Sequence, residues 1–450
     1  MEAPPPEGRR QPTLRRALGR WDLTAIGINQ VIGSAIFLMP SQVAHAVGGW
    51  SCVAFLAMGL ASLLVALCFA EVSSRFESTG GPYLYTRAAF GRFVAFEVGW
   101  MQWFTRVTSH ASVINGLALA LAFYWPPAAR GPGRAAVIIG LTAALTIVNV
   151  LGIRQSAWVV DFLTIGKLLP LAVFIVVGAF FADFGRLGPL GPVTLEQATT
   201  AALLLIFVYG GFDVVSVPAG EARNPQRQVP FALVTTIAAV TAIMTVAQAV
   251  AMGTLPRIAD SRTPLADAAL VFMGAAGALL IGIGSVVSMT GNIAGQVLTG
   301  SRMLFALSEN EALPAWFGRI HPKYRTPANA VLFSAAVALA LALSGSFVVM
   351  AVASAVARLV TYTGASAATL VLRGRRFRDR VRPATFVIPL GPLVPVLAVL
   401  VSMLILVGAT RPQLLGGGAA LAAGAVLFLL NDRGRRRAAR PAGREAQPTR

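Results

Sequence analysis

Four charged residues stand deep inside long apolar stretches of the sequence, and each is a candidate for chemistry inside a membrane. At 1.5 Å per helical residue, Lys167 and Asp213 lie about 14 Å and about 12 Å from one end of their stretches. Arg106 and Arg358 lie at comparable depth. An arginine keeps its proton inside a protein, whereas a buried lysine can release it. We therefore expect Lys167 to be the group that binds and releases a proton, with Asp213 as the second candidate.

Two of the apolar stretches are interrupted by small residues. The first contains Gly33, Ser34 and Ala35 between apolar halves, and a later one contains the segment 209–213, Tyr-Gly-Gly-Phe-Asp. Lipid offers no hydrogen-bond partners, so the backbone groups that such breaks free are tolerated where they line a cavity or bind a ligand. Free amides at the start of the second half favour a carboxylate, and free carbonyls at the end of the first half favour an ammonium. Small residues also permit close helix packing, which is the alternative interpretation.

The composition indicates that these stretches are membrane helices. Of 450 residues, 56% are hydrophobic and 12% are charged, and the mean hydropathy is +0.71. Soluble domains contain about 25% charged residues, and apolar stretches of about 20 residues, enough to span a bilayer, recur through this chain. The sequence therefore predicts an all-α polytopic membrane protein with about twelve transmembrane helices.

The order of the stretches predicts two related halves. We expect a tail at 1–21, helices 1–5 at 22–181, helices 6–10 at 197–372, helices 11–12 at 385–431 and a tail at 432–450. The two interrupted helices begin successive groups of five. A matched pair of broken helices in two halves is typical of transporters built from inverted repeats, with a binding site near the bilayer midplane.

The net charge of +19 comes largely from arginines in the two tails and in alternate loops. This distribution follows the positive-inside rule and predicts cytoplasmic N- and C-termini for a multi-pass protein of the cell (inner or plasma) membrane. The tails can also attract anionic membrane lipid. Because the positive charge is not gathered on one folded domain, we expect no nucleic-acid binding.

Motifs for other kinds of chemistry are absent from the sequence. Cys52 and Cys68 fall sixteen residues apart in one apolar stretch, too far along a helix to form a disulfide. No metal-binding cluster, nucleotide-binding loop or nucleophile motif occurs, so we expect no metal, no cofactor and no enzymatic activity.

Five short motifs, in order along the chain, resemble the amino acid-polyamine-organocation (APC) superfamily of permeases from Trp21 to about Asn431. They are Val31 to Phe37, Ala66 to Gly91, Tyr209 to Arg227, Ser301 to Pro327 and Arg358 to Arg373. Two residues depart from the usual family pattern: Ala35 replaces a glycine of the first motif, and Asp213 replaces a glutamate of the third. Each motif is weak alone, and their order and helix positions together carry the resemblance.

The resemblance implies the LeuT-like fold, with two inverted five-helix repeats plus two peripheral helices, working by alternating access. It also implies a small-molecule amino acid substrate, moved by secondary active transport that we expect to be proton-coupled symport. An amino acid exchanger and a polyamine carrier are alternatives on the same scaffold. A transporter-like nutrient sensor and a membrane enzyme are alternatives from other classes. The specific substrate and the oligomeric state stay open.

The broken helices then supply the expected substrate contacts. The predicted binding residues are Val31, Gly33, Ser34, Ala35, Ile36, Phe207 and Gly210. We assign the substrate carboxylate to the Ser34 hydroxyl and the amides of Ala35 and Ile36, and the ammonium to carbonyls near Val31, Phe207 and Gly210. By family position Phe207 is the gate. Further candidates for the cavity wall are Gln30, Thr290, Asn292 and Gln296.

The resemblance also gives Lys167 a partner. Proton-coupled members of the family carry a lysine at this place in the fifth helix, so we expect Lys167 to reach freed carbonyls of the first helix. Polar groups of the eighth helix between Ser288 and Asn292 are expected beside it. The alternative is a permanently charged lysine that only holds the helices together, as in exchangers of the family.

Overall fold

A computed structural model describes residues 18–78, 80–151, 156–187, 190–377 and 379–438, with the backbone alone for 156–165, 186, 218, 221 and 434–438. The described chain is helical, and its one β-bridge joins Leu18 to Ala222. The helices are α1 Arg20–Val31, α2 Ala35–Val47, α3 Ser51–Ser73, α4 Pro82–Phe90, α5 Arg92–Ala122, α6 Gly131–Leu151, α7 Ser156–Phe181, α8 Leu195–Val208, α9 Pro225–Thr254, α10 Pro264–Glu309, α11 Ala328–Ser344, α12 Phe347–Leu372, α13 Leu393–Val407 and α14 Arg411–Ala438.

Many of these helices are long and apolar enough to cross a membrane. Six stretches meet that test by length and composition: Ala35–Ser73, Gly131–Leu151, Pro225–Thr254, Pro264–Glu309, Phe347–Leu372 and Arg411–Arg433. The first of them contains both α2 and α3, and four shorter apolar helices accompany the six. The chain is therefore a multi-pass helical membrane protein.

Both interruptions read from the sequence are breaks in the helices. The backbone leaves the helix between α1 and α2, where the C-cap residue Ile32 has φ −76° and ψ 86°. After α8 it turns at Gly211, whose φ of +123° is a conformation that glycine adopts without strain. A Cβ on Gly211 would lie 2.8 Å from the Gln30 carbonyl oxygen, so the two breaks meet in close contact. The chain then continues as a 3-10 helix, Phe212–Glu221.

Helix α5 makes the most extensive contacts with neighbouring helices. This helix packs against α10, α12, α4 and α11, while α3 packs against α9 and α2 packs against α8. Small residues, including Gly99 and Gly116, allow large side chains of neighbouring helices to approach α5 closely. Helices α5, α10 and α12 therefore surround the break between α1 and α2 and the break after α8.

One end of the bundle, which we call the basic end, carries Arg75, Arg373 and Arg382. Glu71 accepts hydrogen bonds there from the Arg373 guanidinium and, at 2.9 Å, from the Ile388 amide. Its hydrogen bond raises the pKa of Arg373, which lies beyond the end of α12. Glu71 lies near the end of its apolar stretch, where the sequence alone predicts a solvated carboxylate. That prediction is wrong, because Glu71 is 1% exposed and ion-paired.

One helix start differs from the sequence-based boundary. The helix expected from 385 begins at Leu393, because Pro389 and Pro392 interrupt the preceding segment. The helix α10 begins at Pro264, and a non-helical Gly274 divides its first part from the long membrane helix. Asp161 lies in the part of α7 that is described by its backbone alone, and Thr79 lies outside the described residues.

Candidate functional site

A small cavity of about 20 Å³ lies where the two helix breaks face α5, α10 and α12. Its lining residues are Gln30, Val31, Gly33, Ser34, Ala35, Ser109, Val113, Phe207, Gly210, Asn292, Gln296 and Arg358. Small-molecule sites in proteins span about 300–1,000 Å³, so the walls of this cavity must move apart before a ligand fits. Backbone breaks, amides, two hydroxyls and a guanidinium line this one buried cavity.

The break of the first helix presents hydrogen-bond donors to the cavity. Ser34 is the N-cap of α2 and is 1% exposed, and its hydroxyl has no partner among the described residues. The amides of Phe37 and Leu38 donate to the Ser34 carbonyl. The first residues of a helix, here Ala35 and Ile36, have no acceptor within the helix. An anion at this point would therefore meet the unpaired Ser34 hydroxyl and the positive end of a helix dipole.

The carbonyls on the other side of this break already have partners. The Lys167 ammonium donates to the carbonyl oxygens of Asn29 and Ile32, each at 3.0 Å. The Ser288 hydroxyl lies 3.2 Å from the carbonyl oxygens of Ile32 and Gly33. Lys167 is 0% exposed and does not line the cavity. It stands behind the break, between α1 and α10, as the sequence analysis expected.

Polar side chains of α10 complete this wall. The Asn292 amide donates to the Gln30 carbonyl oxygen at 2.9 Å, and the Gln296 amide donates to the Asn292 side-chain oxygen at 3.3 Å. Both residues line the cavity. Thr290 does not line the cavity, and its hydroxyl donates to the Val286 carbonyl oxygen on the same helix. Three of the four polar candidates from the sequence thus surround the cavity.

The break after α8 supplies the aromatic wall. The Phe207 ring lines the cavity and packs edge-on against Phe347, with ring centroids 6.2 Å apart. Phe347 also lines a second cavity of about 430 Å³, which Arg130 and Arg134 border at the end opposite the basic end. The phenylalanine pair therefore lies between the two cavities.

Aromatic rings also pack between the cavity and the basic end. Phe69 contacts Tyr85, Phe212 and Tyr362, with ring centroids 5.8–6.5 Å apart. Phe212 and Tyr362 contact each other at 5.1 Å. The four rings come from α3, α4, the 3-10 helix and α12, so any opening towards the basic end must separate helices from different parts of the chain.

Asp213 is committed to an ion pair. Its carboxylate is bonded to the Arg106 guanidinium, and the Gln102 side-chain amide lies 3.4 Å from the same oxygen. Asp213 and Arg106 are each 2% exposed, and neither lines the cavity. This pair joins α5 to the segment after the second break. Asp213 lies one residue beyond the aromatic cluster member Phe212.

Arg358 is the charged residue that the cavity does expose. It is 2% exposed in total, and its Nη2 lies 3.4 Å from the Ser109 hydroxyl. Its Nε and Nη1 have no hydrogen-bond partner among the described residues. A Cβ on Gly210 would overlap Nη1, so glycine at this position makes room for the guanidinium.

The structure brings together most of the residues that the sequence nominated. Six predicted binding residues line the cavity: Val31, Gly33, Ser34, Ala35, Phe207 and Gly210. Ile36 is buried beside it without lining it, and Lys167 and Asp213 flank it. Sequence reasoning missed Ser109, Val113 and the lining position of Arg358. The position of Arg358 deep in an apolar stretch marked it as a candidate. Only the packing of the helices shows that its side chain lines the cavity.

Comparison with known proteins identifies the family. The profile of the amino acid permease family matches residues 18–423. The chain is similar to a methylthioribose transporter of Bacillus subtilis, 28% identical over 86% of this chain and 87% of the relative. It is also similar to a serine/threonine exchanger of that organism, 28% identical over 87% and 91%, and to a branched-chain amino acid permease, 29% identical over 86% and 87%. These relatives are transporters and not enzymes. The chain therefore belongs to the amino acid permease family, within the APC superfamily.

Proposed function

We propose that this permease is a proton-coupled amino acid symporter working by alternating access. The observation that carries the proposal is the position of Lys167, whose ammonium holds two carbonyls at the break of the first helix. The same break borders the cavity through Ser34 and Ala35. Loss of one proton would remove the positive charge that strengthens those bonds and would loosen the wall of the site, so protonation and substrate binding share one structural element.

We propose that the cavity is the amino acid site. The substrate carboxylate would accept from the Ser34 hydroxyl and the amides of Ala35 and Ile36 at the start of α2. Its ammonium would approach carbonyls near Val31, Phe207 and Gly210. The unpaired Ser34 hydroxyl supports the first assignment, because a buried polar group without a partner is costly unless a ligand completes it. Phe207, packed on Phe347, would be the outer gate.

We further propose twelve transmembrane helices in the LeuT-like arrangement. The repeats would comprise 22–181 and 197–372, and two peripheral helices would occupy 385–431, between tails at 1–21 and 432–450. The contact between the breaks at Gln30 and Gly211 supports this, since equivalent broken helices of the two repeats should meet at the site. The arginines of the basic end support cytoplasmic termini in the cell membrane, near anionic lipid.

An amino acid exchanger is the second candidate, because a permanently charged Lys167 would make the same two hydrogen bonds. The similarity to a serine/threonine exchanger also favours it. Uptake into proteoliposomes separates the two mechanisms. A symporter accumulates labelled amino acid in vesicles without internal substrate when an inward proton gradient is imposed. An exchanger requires internal substrate and gains nothing from the gradient, and that result would overturn the symport proposal.

A further inference from the structure

We infer that the preferred substrate is an amino acid whose side chain carries a second carboxylate, and that Arg358 binds this group. The inference rests on the amino acid site proposed above and specifies the class of substrate. It starts from a buried guanidinium that lines the cavity with two nitrogen donors unused.

The surroundings leave the charge of Arg358 unpaired. Asp213 is the buried carboxylate of the neighbouring segment, and it is bonded to Arg106 and Gln102 instead. Among the described residues, no carboxylate forms an ion pair with Arg358. The Ser109 hydroxyl, 3.4 Å away, is neutral and is itself 2.6 Å from the Ser354 hydroxyl. A buried charge without a counterion is unfavourable, so an anion that reaches Arg358 is strongly stabilised.

The charges of an ordinary amino acid do not meet this requirement. Its carboxylate is directed to Ser34 and the start of α2, and its ammonium to the backbone carbonyls. Both charges of a zwitterion are then used, and Arg358 still lacks a partner. A cationic side chain would be repelled by Arg358, and an apolar one would leave the guanidinium desolvated. A side-chain carboxylate supplies the missing charge and can accept a hydrogen bond from Nε or Nη1.

The second cavity, on the far side of Phe347, also favours an anionic ligand. The cavity of about 430 Å³ is bordered by Arg130 and Arg134, and no acidic residue in the described part of the chain lines it. Arg134 is fixed by hydrogen bonds to the Asn115 side chain and to the carbonyls of Ala342 and Gly345. A concave surface of one charge sign raises the local concentration of oppositely charged ligands. An anionic substrate would be attracted before it reaches the Phe207–Phe347 pair.

Matched acid and amide ligands test the inference on the purified full-length protein. We expect L-glutamate or L-aspartate to bind at least about tenfold more tightly than L-glutamine or L-asparagine, measured by ligand-dependent thermal stability. Arg358→Gln should reduce that preference to within about twofold and retain binding of the amides. Arg358→Lys, which keeps the charge, should retain part of the preference. Ser41→Ala, which removes a hydroxyl that donates to the Leu38 carbonyl outside the cavity, should leave the preference in place.

The outcomes separate this inference from the proposed function. If neutral amino acids bind as tightly as the acids in the unmodified protein, the inference is wrong and the amino acid site stands. The inference is also wrong if Arg358→Gln weakens acids and amides equally, because Arg358 would then bind the carboxylate common to all amino acids. If no amino acid stabilises the protein, both the site and the inference fail. The acid-to-amide ratio of the unmodified protein is decisive even if the Arg358 variants do not fold.

Discussion

The Lys167 ammonium lies 3.0 Å from the carbonyl oxygen of Ile32, the C-cap residue of α1. Ile32 is followed directly by Gly33 and Ser34, which line the cavity. The carbonyl to which Lys167 donates and the cavity wall are therefore one residue apart along the backbone. This closeness is the reason for proposing that proton release changes the shape of the cavity.

Lys167→Gln should abolish proton-driven accumulation while preserving substrate binding. Glutamine can still donate a hydrogen bond to the Asn29 or Ile32 carbonyl but cannot carry a proton. In proteoliposomes, each pH unit across the membrane supports up to about tenfold accumulation per proton moved, and this should disappear. Lys167→Arg is the matched control, since it keeps a permanent charge, and it should bind and exchange substrate without accumulating it. Undiminished accumulation by the glutamine variant would transfer the coupling role to another group.

Ser34→Ala should weaken substrate binding without destabilising the empty protein. The Ser34 hydroxyl has no partner within the described structure, so its removal breaks no internal hydrogen bond. Loss of a bond to a charged carboxylate should weaken binding by about 1.5–3 kcal/mol. Ser41→Ala is the control, because that buried hydroxyl donates to the Leu38 carbonyl outside the cavity. Titration by ligand-dependent thermal stability compares the two variants, and equal affinities would place the carboxylate elsewhere.

Gly210→Ala should destabilise the protein by displacing the Arg358 side chain. The added methyl group would overlap Nη1, and overpacking a buried site costs about 1–3 kcal/mol. The double variant Gly210→Ala with Arg358→Ala removes the obstacle, so the penalty of the glycine substitution should be smaller in that background. A thermal double-mutant cycle measures this coupling. Additive effects would show that the two groups do not meet.

Breaking the Arg106–Asp213 pair should be costly, because either partner alone is a buried, uncompensated charge. Asp213→Asn or Arg106→Gln should destabilise the protein by about 3–5 kcal/mol, and the double variant should recover part of the loss. The exposed pair of Arg382 and Glu77 serves as the comparison, with about 0–1 kcal/mol expected. Urea or thermal unfolding in detergent measures both pairs. Equal costs for the two pairs would contradict the buried position of Asp213.

Labelling of introduced cysteines should show that both termini are cytoplasmic. In a variant with Cys52 and Cys68 replaced, single cysteines at Gly8 and Gln447 should resist an impermeant thiol reagent added to intact cells. A single cysteine replacing Arg130, which borders the second cavity, should react with the reagent. Arginine-rich segments are retained on the cytoplasmic side, which is the reason for this orientation. Labelling at either terminus would reverse it.

The sequence by itself determined the membrane class, the helix breaks and most of the cavity wall, because these depend on local properties. Apolar length makes a stretch of chain a membrane helix, and the glycines near Ser34 and Phe212 permit the breaks wherever the helices pack. The charged residues inside the membrane could be identified from the sequence for the same reason. Their partners could not, because the packing of neighbouring helices decides where an arginine side chain points. Tertiary packing paired Asp213 with Arg106, buried Glu71 against Arg373, and left Arg358 facing the cavity with no carboxylate partner among the described residues.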